Sequence, residues 1–140
     1  MNEIPTSNIK IQNNYQIPNK KSQRVYDLRE RLLRFSKRIL EICKMLPRIP
    51  ECEGIRKQLS NAGTSIGANY EEADGALTKK DFINKAGISR KEAKETRYWL
   101  KVIDNVYIDE KEIISDIRES EEIINILSAI LINSGAKTRR

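Results

Sequence analysis

The sequence predicts an all-α protein, an antiparallel up-down-up-down four-helix bundle with a left-handed supercoil. Four segments repeat apolar residues at alternating spacings of three and four, the heptad pattern of helices packed side by side. Short connections with proline, glycine or helix-capping residues separate the segments and favour antiparallel neighbours. No strand-like alternation of apolar and polar residues competes with the heptads.

The first predicted helix follows an N-terminal extension of different composition. Residues 1–21 are rich in Asn, Gln, Ile and Lys and predict a disordered basic extension, which leaves residues 22–134 for the bundle. The first heptad then ends before Pro47, which breaks the helix. Its apolar seam is Val25, Leu28, Leu32, Phe35, Ile39, Ile42 and Leu46.

The second predicted helix begins near Glu51 and contains two glycines. Gly63 and Gly67 each cost a helix about 1 kcal/mol relative to alanine. They lie four residues apart on one face, so we expect them to allow tight helix–helix packing. A phosphate-cradling loop is the weaker alternative, because no Gly-Lys-Ser/Thr motif follows. The seam is Ile55, Leu59, Ala62, Ile66, Tyr70 and Ala73.

Capping residues mark the starts of the third and fourth helices. Thr78 and Asp81 resemble a capping box, and the third helix is predicted from Lys79 to Asn105. Asp109 marks the start of the fourth helix, and residues 135–140 form a basic C-terminal end. The third seam is Phe82, Ala86, Ser89, Ala93, Thr96, Leu100 and Ile103, and the fourth is Ile113, Ile117, Ser120, Ile124, Leu127 and Leu131.

The net charge of +6 is unevenly distributed along the chain. Residues 24–48 and 79–104 are basic, whereas residues 51–74 and 109–122 are acidic. Basic stripes on the first and third helices are long enough to meet several phosphates of RNA or DNA. A solvated charged face and pairing between helices or subunits remain open. The predicted nucleic-acid-binding residues are Arg31, Arg34, Arg38, Lys80, Lys91, Lys94 and Lys101.

Two further groups of residues suggest contacts between helices or subunits. Glu71, Glu72 and Asp74 crowd the negative end of the second helix, and we expect ion pairs with arginines of the first or third helix. A metal site and a solvated acidic end are the alternatives.

A second apolar line on two helices predicts an interface of a homo-oligomer, or else deeper burial in the bundle. That line comprises Tyr26, Leu33, Leu40, Trp99, Val102 and Val106.

The composition argues against an enzyme. The chain has no histidine, which removes Ser-His and Cys-His nucleophile pairs and most zinc sites. We therefore predict no catalytic, cofactor-binding or metal-binding residues and no small-molecule substrate. The first residues lack a signal-peptide pattern, so Cys43 and Cys52 are expected to be inert thiols of a cytoplasmic protein. No apolar stretch is long enough to span a membrane.

Two motifs resemble a known bacterial family. The segment Asn61–Ala73 (NAGTSIGANYEEA) is similar to the second-helix signature of the four helix bundle proteins, also called 23S rRNA intervening-sequence proteins. The segments Lys79–Phe82 and Lys91–Leu100 (KEAKETRYWL) resemble its third-helix signature. The resemblance covers residues 25–134. It implies a homo-oligomeric bundle, typically a ring of five, without established catalytic activity.

These observations leave two functional hypotheses. The first is a non-enzymatic oligomer that binds RNA or DNA without sequence specificity through basic faces of the first and third helices. The second is a protein-interaction scaffold whose charges mainly join subunits or a partner. The family resemblance gives the scaffold hypothesis an example, since a group of proteins related to this family serves as an accessory subunit of reverse transcriptases.

Overall fold

The computed structural model describes the backbone of residues 20–136 and the side chains from residue 28 onward. The predicted all-α class is confirmed, with four helices and no strand in this range. The helices are α1 (Lys20–Met45), α2 (Pro50–Asp74), α3 (Lys79–Ile103) and α4 (Glu110–Asn133). Most of the predicted N-terminal extension and residues 137–140 lie outside the described residues. The up-down-up-down order and the left-handed supercoil stay predictions.

The chain divides into two compact units, residues 1–31 and residues 32–140. Within the first unit the structure describes the beginning of α1, where Leu28 is buried. The second unit contains the rest of α1 and the three other helices. In the part of the chain that is described, no helix is long and apolar enough to cross a membrane.

The core of the second unit is built from the predicted heptad seams. From Leu32 onward every seam residue of α1 and α4 is buried. On α2 and α3 the seams are buried except at Ile55 and Phe82, which lie in the first two turns of their helices and are half-buried. Small seam residues such as Ala86 and Ala93 on α3 are fully buried, which brings the neighbouring backbones close.

The α1–α2 contact depends on Gly63. The Ser36 hydroxyl donates a hydrogen bond to the Gly63 carbonyl oxygen, 3.1 Å away. A Cβ atom at position 63 would lie 2.5 Å from Cγ2 of the fully buried Ile39. At position 67 a Cβ would only reach ordinary contact, 3.5 Å from Leu32 Cβ. Of the two glycines, only Gly63 occupies a space that a side chain cannot share.

Arg56 of α2 caps the C-terminal end of α1. Its guanidinium donates hydrogen bonds to the carbonyl oxygens of Cys43, Leu46 and Pro47, at 3.3, 2.9 and 3.2 Å. The Cys43 carbonyl oxygen also accepts the Leu46 N–H at 3.3 Å, whereas Leu46 and Pro47 lie just beyond α1. Arg56 therefore supplies donors to carbonyl groups at and directly after the helix end, where helix geometry leaves acceptors without helical partners. The seam pattern gave no indication of this role, because Arg56 lies beside the seam.

Helix boundaries follow their caps. The Thr78 hydroxyl accepts a hydrogen bond from the Asp81 backbone N–H at 3.1 Å, and the Asp109 carboxylate accepts one from Lys111 at 3.0 Å. The third helix ends at Ile103, two residues earlier than predicted. Asp104 already leaves the helical conformation with ψ 123°, and Asn105 follows it with φ 57°, a left-handed conformation.

Candidate nucleic-acid interface

The exposed side of α3 presents lysines. Small buried residues fix its opposite side against the core, and Lys80, Lys91, Lys94 and Lys101 are exposed. At about 100° per residue these four lysines fall within an arc of roughly 80°. We call them the α3 basic face. At about 1.5 Å per residue it extends roughly 30 Å along the helix, the length of several phosphates.

Polar contacts to the neighbouring helices border the α3 basic face. On one side Lys85 forms an ion pair with Glu72 of α2, at 2.7 Å. On the other side the Arg90 guanidinium donates a hydrogen bond to Ser128 of α4, at 2.6 Å. Lys101 lies 3.6 Å from Glu121 of α4, in an exposed pair that contributes little to stability. Lys80, Lys91 and Lys94 lie between these borders.

The acidic residues of α3 lie away from most of these lysines. Asp81 and Glu92 are about 80° or more in helical angle from the nearest lysine of the basic face. Burial, together with the Glu95 charge, raises the pKa of Glu92, while Lys91 partly opposes that shift. The Glu95 carboxylate accepts a hydrogen bond from Trp99 Nε1 at 3.2 Å. Asp81 and Glu92 therefore lie off the α3 basic face, whereas Glu95 lies at its edge, about 40° from Lys91.

Arg38, predicted to bind nucleic acid, joins α1 to α4. Its Nε and Nη2 atoms donate hydrogen bonds to the two carboxylate oxygens of Asp116, at 3.0 and 3.1 Å. Nη2 also donates to the Glu112 carbonyl oxygen at 3.0 Å. The hydrogen bond to Asp116 raises the pKa of Arg38. Of the other α1 arginines in the prediction, Arg31 is half-buried and Arg34 is exposed.

The acidic end of α2 is partly paired with α3. Glu72 contacts Lys85, so its partner is a lysine where we expected an arginine. Glu71 and Asp74 are exposed at the same end. Across residues 28–136, no three Cys, Asp or Glu side chains come together in a group that could hold a metal ion.

The apolar residues predicted to form a subunit interface differ in exposure. Leu33, Leu40 and Val106 are 56%, 46% and 66% exposed, whereas Trp99 and Val102 are half-buried. Val106 lies in the turn after α3, because the helix ends at Ile103. The side chain of Tyr26 lies outside the described residues.

Tyr98 is a surface residue that the sequence analysis missed. Its side chain is 60% exposed on the α3 basic face, within about 60° of each lysine of that face. The Tyr98 and Trp99 rings meet edge to face, with centroids 5.2 Å apart. The signal was present in the sequence, because Lys94 and Lys101 precede and follow Tyr98 by four and three residues.

Cys43 and Cys52 are free, buried thiols. Burial raises the pKa of the Cys43 thiol above its ordinary value near 9.0, and the Arg56 charge partly opposes that shift. The folded chain then keeps a proton that the unfolded chain releases, so we expect the free energy of unfolding to fall as pH rises above about 9, by at most about 1.4 kcal/mol per pH unit. Urea unfolding at several pH values measures this loss. The Cys43→Ala variant should lose less stability over the same pH range. If the free energy of unfolding fell equally with pH in the variant and in the natural protein, the expectation would be contradicted.

Two comparisons find proteins that are similar to this chain. Residues 24–129 match the family of 23S rRNA-intervening sequence proteins. The chain is also similar to a crystal structure of a protein of unknown function from the S23 ribosomal protein family of Bacteroides thetaiotaomicron VPI-5482. The two are 39% identical with a TM-score of 0.69, over 74% of this chain and 97% of that chain. A comparison with curated proteins finds no significant match.

Proposed function

Because the chain belongs to the 23S rRNA-intervening sequence protein family, we propose that it is a non-enzymatic, homo-oligomeric protein that binds RNA or DNA without sequence specificity. The observation that carries the proposal is the α3 basic face, where exposed lysines lie on one side of a rigid helix. Lysine ammonium groups bind phosphates as point charges and do not read bases, so sequence specificity is not expected.

We infer a smaller contribution of α1 to phosphate binding than the sequence suggested. The Arg38 guanidinium donates to Asp116 and to the Glu112 carbonyl oxygen, so the proposal assigns it to folding rather than to phosphate binding. Arg31 and Arg34 remain proposed contacts on α1. We therefore place the principal phosphate-binding surface on α3.

Oligomerisation would strengthen weak binding. The exposed Leu33, Leu40 and Val106 side chains are apolar area that a second copy could cover. Following the family resemblance, we propose a ring of five copies in the bacterial cytoplasm. Each copy would add its own α3 basic face, so one nucleic-acid strand could meet several weak sites and dissociate slowly.

The binding test compares two pairs of exposed lysines. We expect Lys91→Ala with Lys94→Ala to weaken binding of a fluorescent RNA and to lower the slope of log K against log salt by about 1.4–1.8, the value for two lost phosphate contacts. Fluorescence anisotropy between about 50 and 200 mM salt measures both quantities. The matched control, Lys57→Ala with Lys111→Ala, removes the same charge from exposed sites on α2 and α4.

The outcomes of this test are distinct. Equal effects of the two lysine pairs would show that only net charge matters, and the α3 assignment would be wrong. Binding without any salt dependence, or no binding at about 50 mM salt, would remove nucleic-acid binding altogether. The remaining candidate would then be a protein-interaction scaffold, which the exposed leucines of α1 favour.

A further inference from the structure

We propose that Tyr98 is a stacking platform for an unpaired base, and that the α3 basic face therefore prefers single-stranded nucleic acid over a duplex. The inference rests on the proposed function and adds the class of ligand. In the arrangement we propose, a base covers the exposed phenol ring while neighbouring phosphates meet Lys94 and Lys101. Stacking on aromatic side chains combined with a basic track is a recurring design for binding single strands.

The exposure of Tyr98 is the first observation. Among the tyrosines whose side chains the structure describes, Tyr70 is buried and Tyr107 is half-buried, whereas Tyr98 is 60% exposed. An exposed aromatic ring gains free energy when another flat apolar surface covers it. Every base has such a face, so stacking adds affinity without adding sequence specificity.

The position of Tyr98 among the lysines is the second observation. Lys94 lies four residues before it and Lys101 three residues after it, so both are its neighbours on the helix surface. Lys91 to Lys101 covers roughly 15 Å along α3. Glu95 borders the other side of the ring, and its carboxylate is hydrogen-bonded to Trp99. The lysines around the ring favour binding of an anionic nucleic-acid strand over binding of a protein surface that has few acidic residues.

The third observation is that the Tyr98 ring is held from one side. The edge-to-face contact with Trp99 and the Trp99–Glu95 hydrogen bond limit how far the aromatic pair can turn. A ring with few accessible rotamers loses little conformational entropy on binding. In a duplex the bases are paired and stacked on each other, so a ring on a convex helix cannot stack on them.

Near Gly87 on the α3 basic face, no side chain obstructs a nucleic-acid strand. Gly87 lies in the middle of α3, about 20° from Tyr98 in helical angle. A Cβ atom at Gly87 would meet no atom within 4 Å, so the chain's own packing does not require a glycine there. The α3 surface at Gly87 is therefore open to an approaching nucleic-acid backbone.

The test uses the full chain and three probes: a 12-nucleotide oligouridine, the matching oligothymidine and a 12-base-pair RNA duplex. We expect Tyr98→Ala to weaken binding of the single strands about 5- to 100-fold while the salt slope stays unchanged, because no phosphate contact is lost. Duplex affinity should change less than about twofold. Tyr98→Phe keeps the ring and should bind like the natural protein, and so should Leu77→Ala, which removes a fully exposed apolar side chain of the α2–α3 turn.

Three results would overturn the inference and leave the proposed function standing. One is unchanged single-strand affinity of Tyr98→Ala while Lys91→Ala with Lys94→Ala still weakens binding. Another is equal weakening of single-strand and duplex binding by Tyr98→Ala. A changed assembly mass of Tyr98→Ala in light scattering would place Tyr98 in a contact between copies and also overturn the inference. Absence of all binding by the natural protein would overturn the proposed function and the inference together.

Discussion

Replacing Gly63 by alanine is expected to lower the free energy of unfolding by about 2–3 kcal/mol. The new methyl group would lie 2.5 Å from Ile39 Cγ2, and Ile39 is fully buried, so either the side chain or the helix must move. The higher helix propensity of alanine returns only about 1 kcal/mol. Urea or thermal unfolding followed by circular dichroism measures the change.

Gly67→Ala is the matched control for this prediction. It lies one turn later on the same helix, and its new methyl group reaches only ordinary contact with Leu32. Its free energy of unfolding should be unchanged or higher by up to about 1 kcal/mol, from helix propensity alone. If the two variants lost equal stability, close packing at Gly63 would not be the reason for its glycine.

The second large effect is expected at the Arg38–Asp116 ion pair between α1 and α4. Arg38→Met would leave the Asp116 carboxylate, whose side chain is only 9% exposed, without its cationic partner. We expect this variant to lose about 3 kcal/mol, because a buried charge without a partner is strongly unfavourable. Asp116→Asn leaves an arginine whose side chain is 39% exposed and can reach water, so about 1 kcal/mol is expected.

A double variant separates the charge from the packing. Arg38→Met with Asp116→Leu removes both charges and should recover most of the stability that Arg38→Met loses, as observed for other buried ion pairs replaced by apolar residues. Denaturant unfolding of the natural protein, Arg38→Met, Asp116→Leu and the double variant gives the coupling free energy between the two positions. Additive losses in the double variant would show that Arg38 stabilises the fold by contacts other than Asp116.

The sequence predicted the helices and their buried sides because both depend on local periodicity. An apolar residue every three or four positions must cover one side of a helix, so Ile39, Ile66 and Leu127 could be placed in the core directly. Thr78 and Asp109 could be identified as caps because capping acts over two or three residues. The extended Asp104 and the left-handed Asn105, where α3 ends early, follow from the turn and not from the heptads.

The candidate site was less predictable, since it depends on which helices are neighbours. A charge stripe does not reveal that Arg38 meets Asp116, 78 positions later, or that Lys101 lies near Glu121. The buried Asp116 itself has no signature in the heptad pattern. The exposed lysines of α3 were identified correctly as a surface because no partner helix was required to place them.

The cap that Arg56 forms on α1 also settles how far α2 can slide along α1. A displacement by four residues, about 6 Å, would bring Gly67 to the place of Gly63 opposite Ile39. The two glycines alone would therefore permit two alignments. In the shifted one Ser60 would replace Arg56, and its short hydroxyl could not reach the three carbonyl groups that end α1. One arginine beside the seam thus selects a single register from a glycine pattern that repeats.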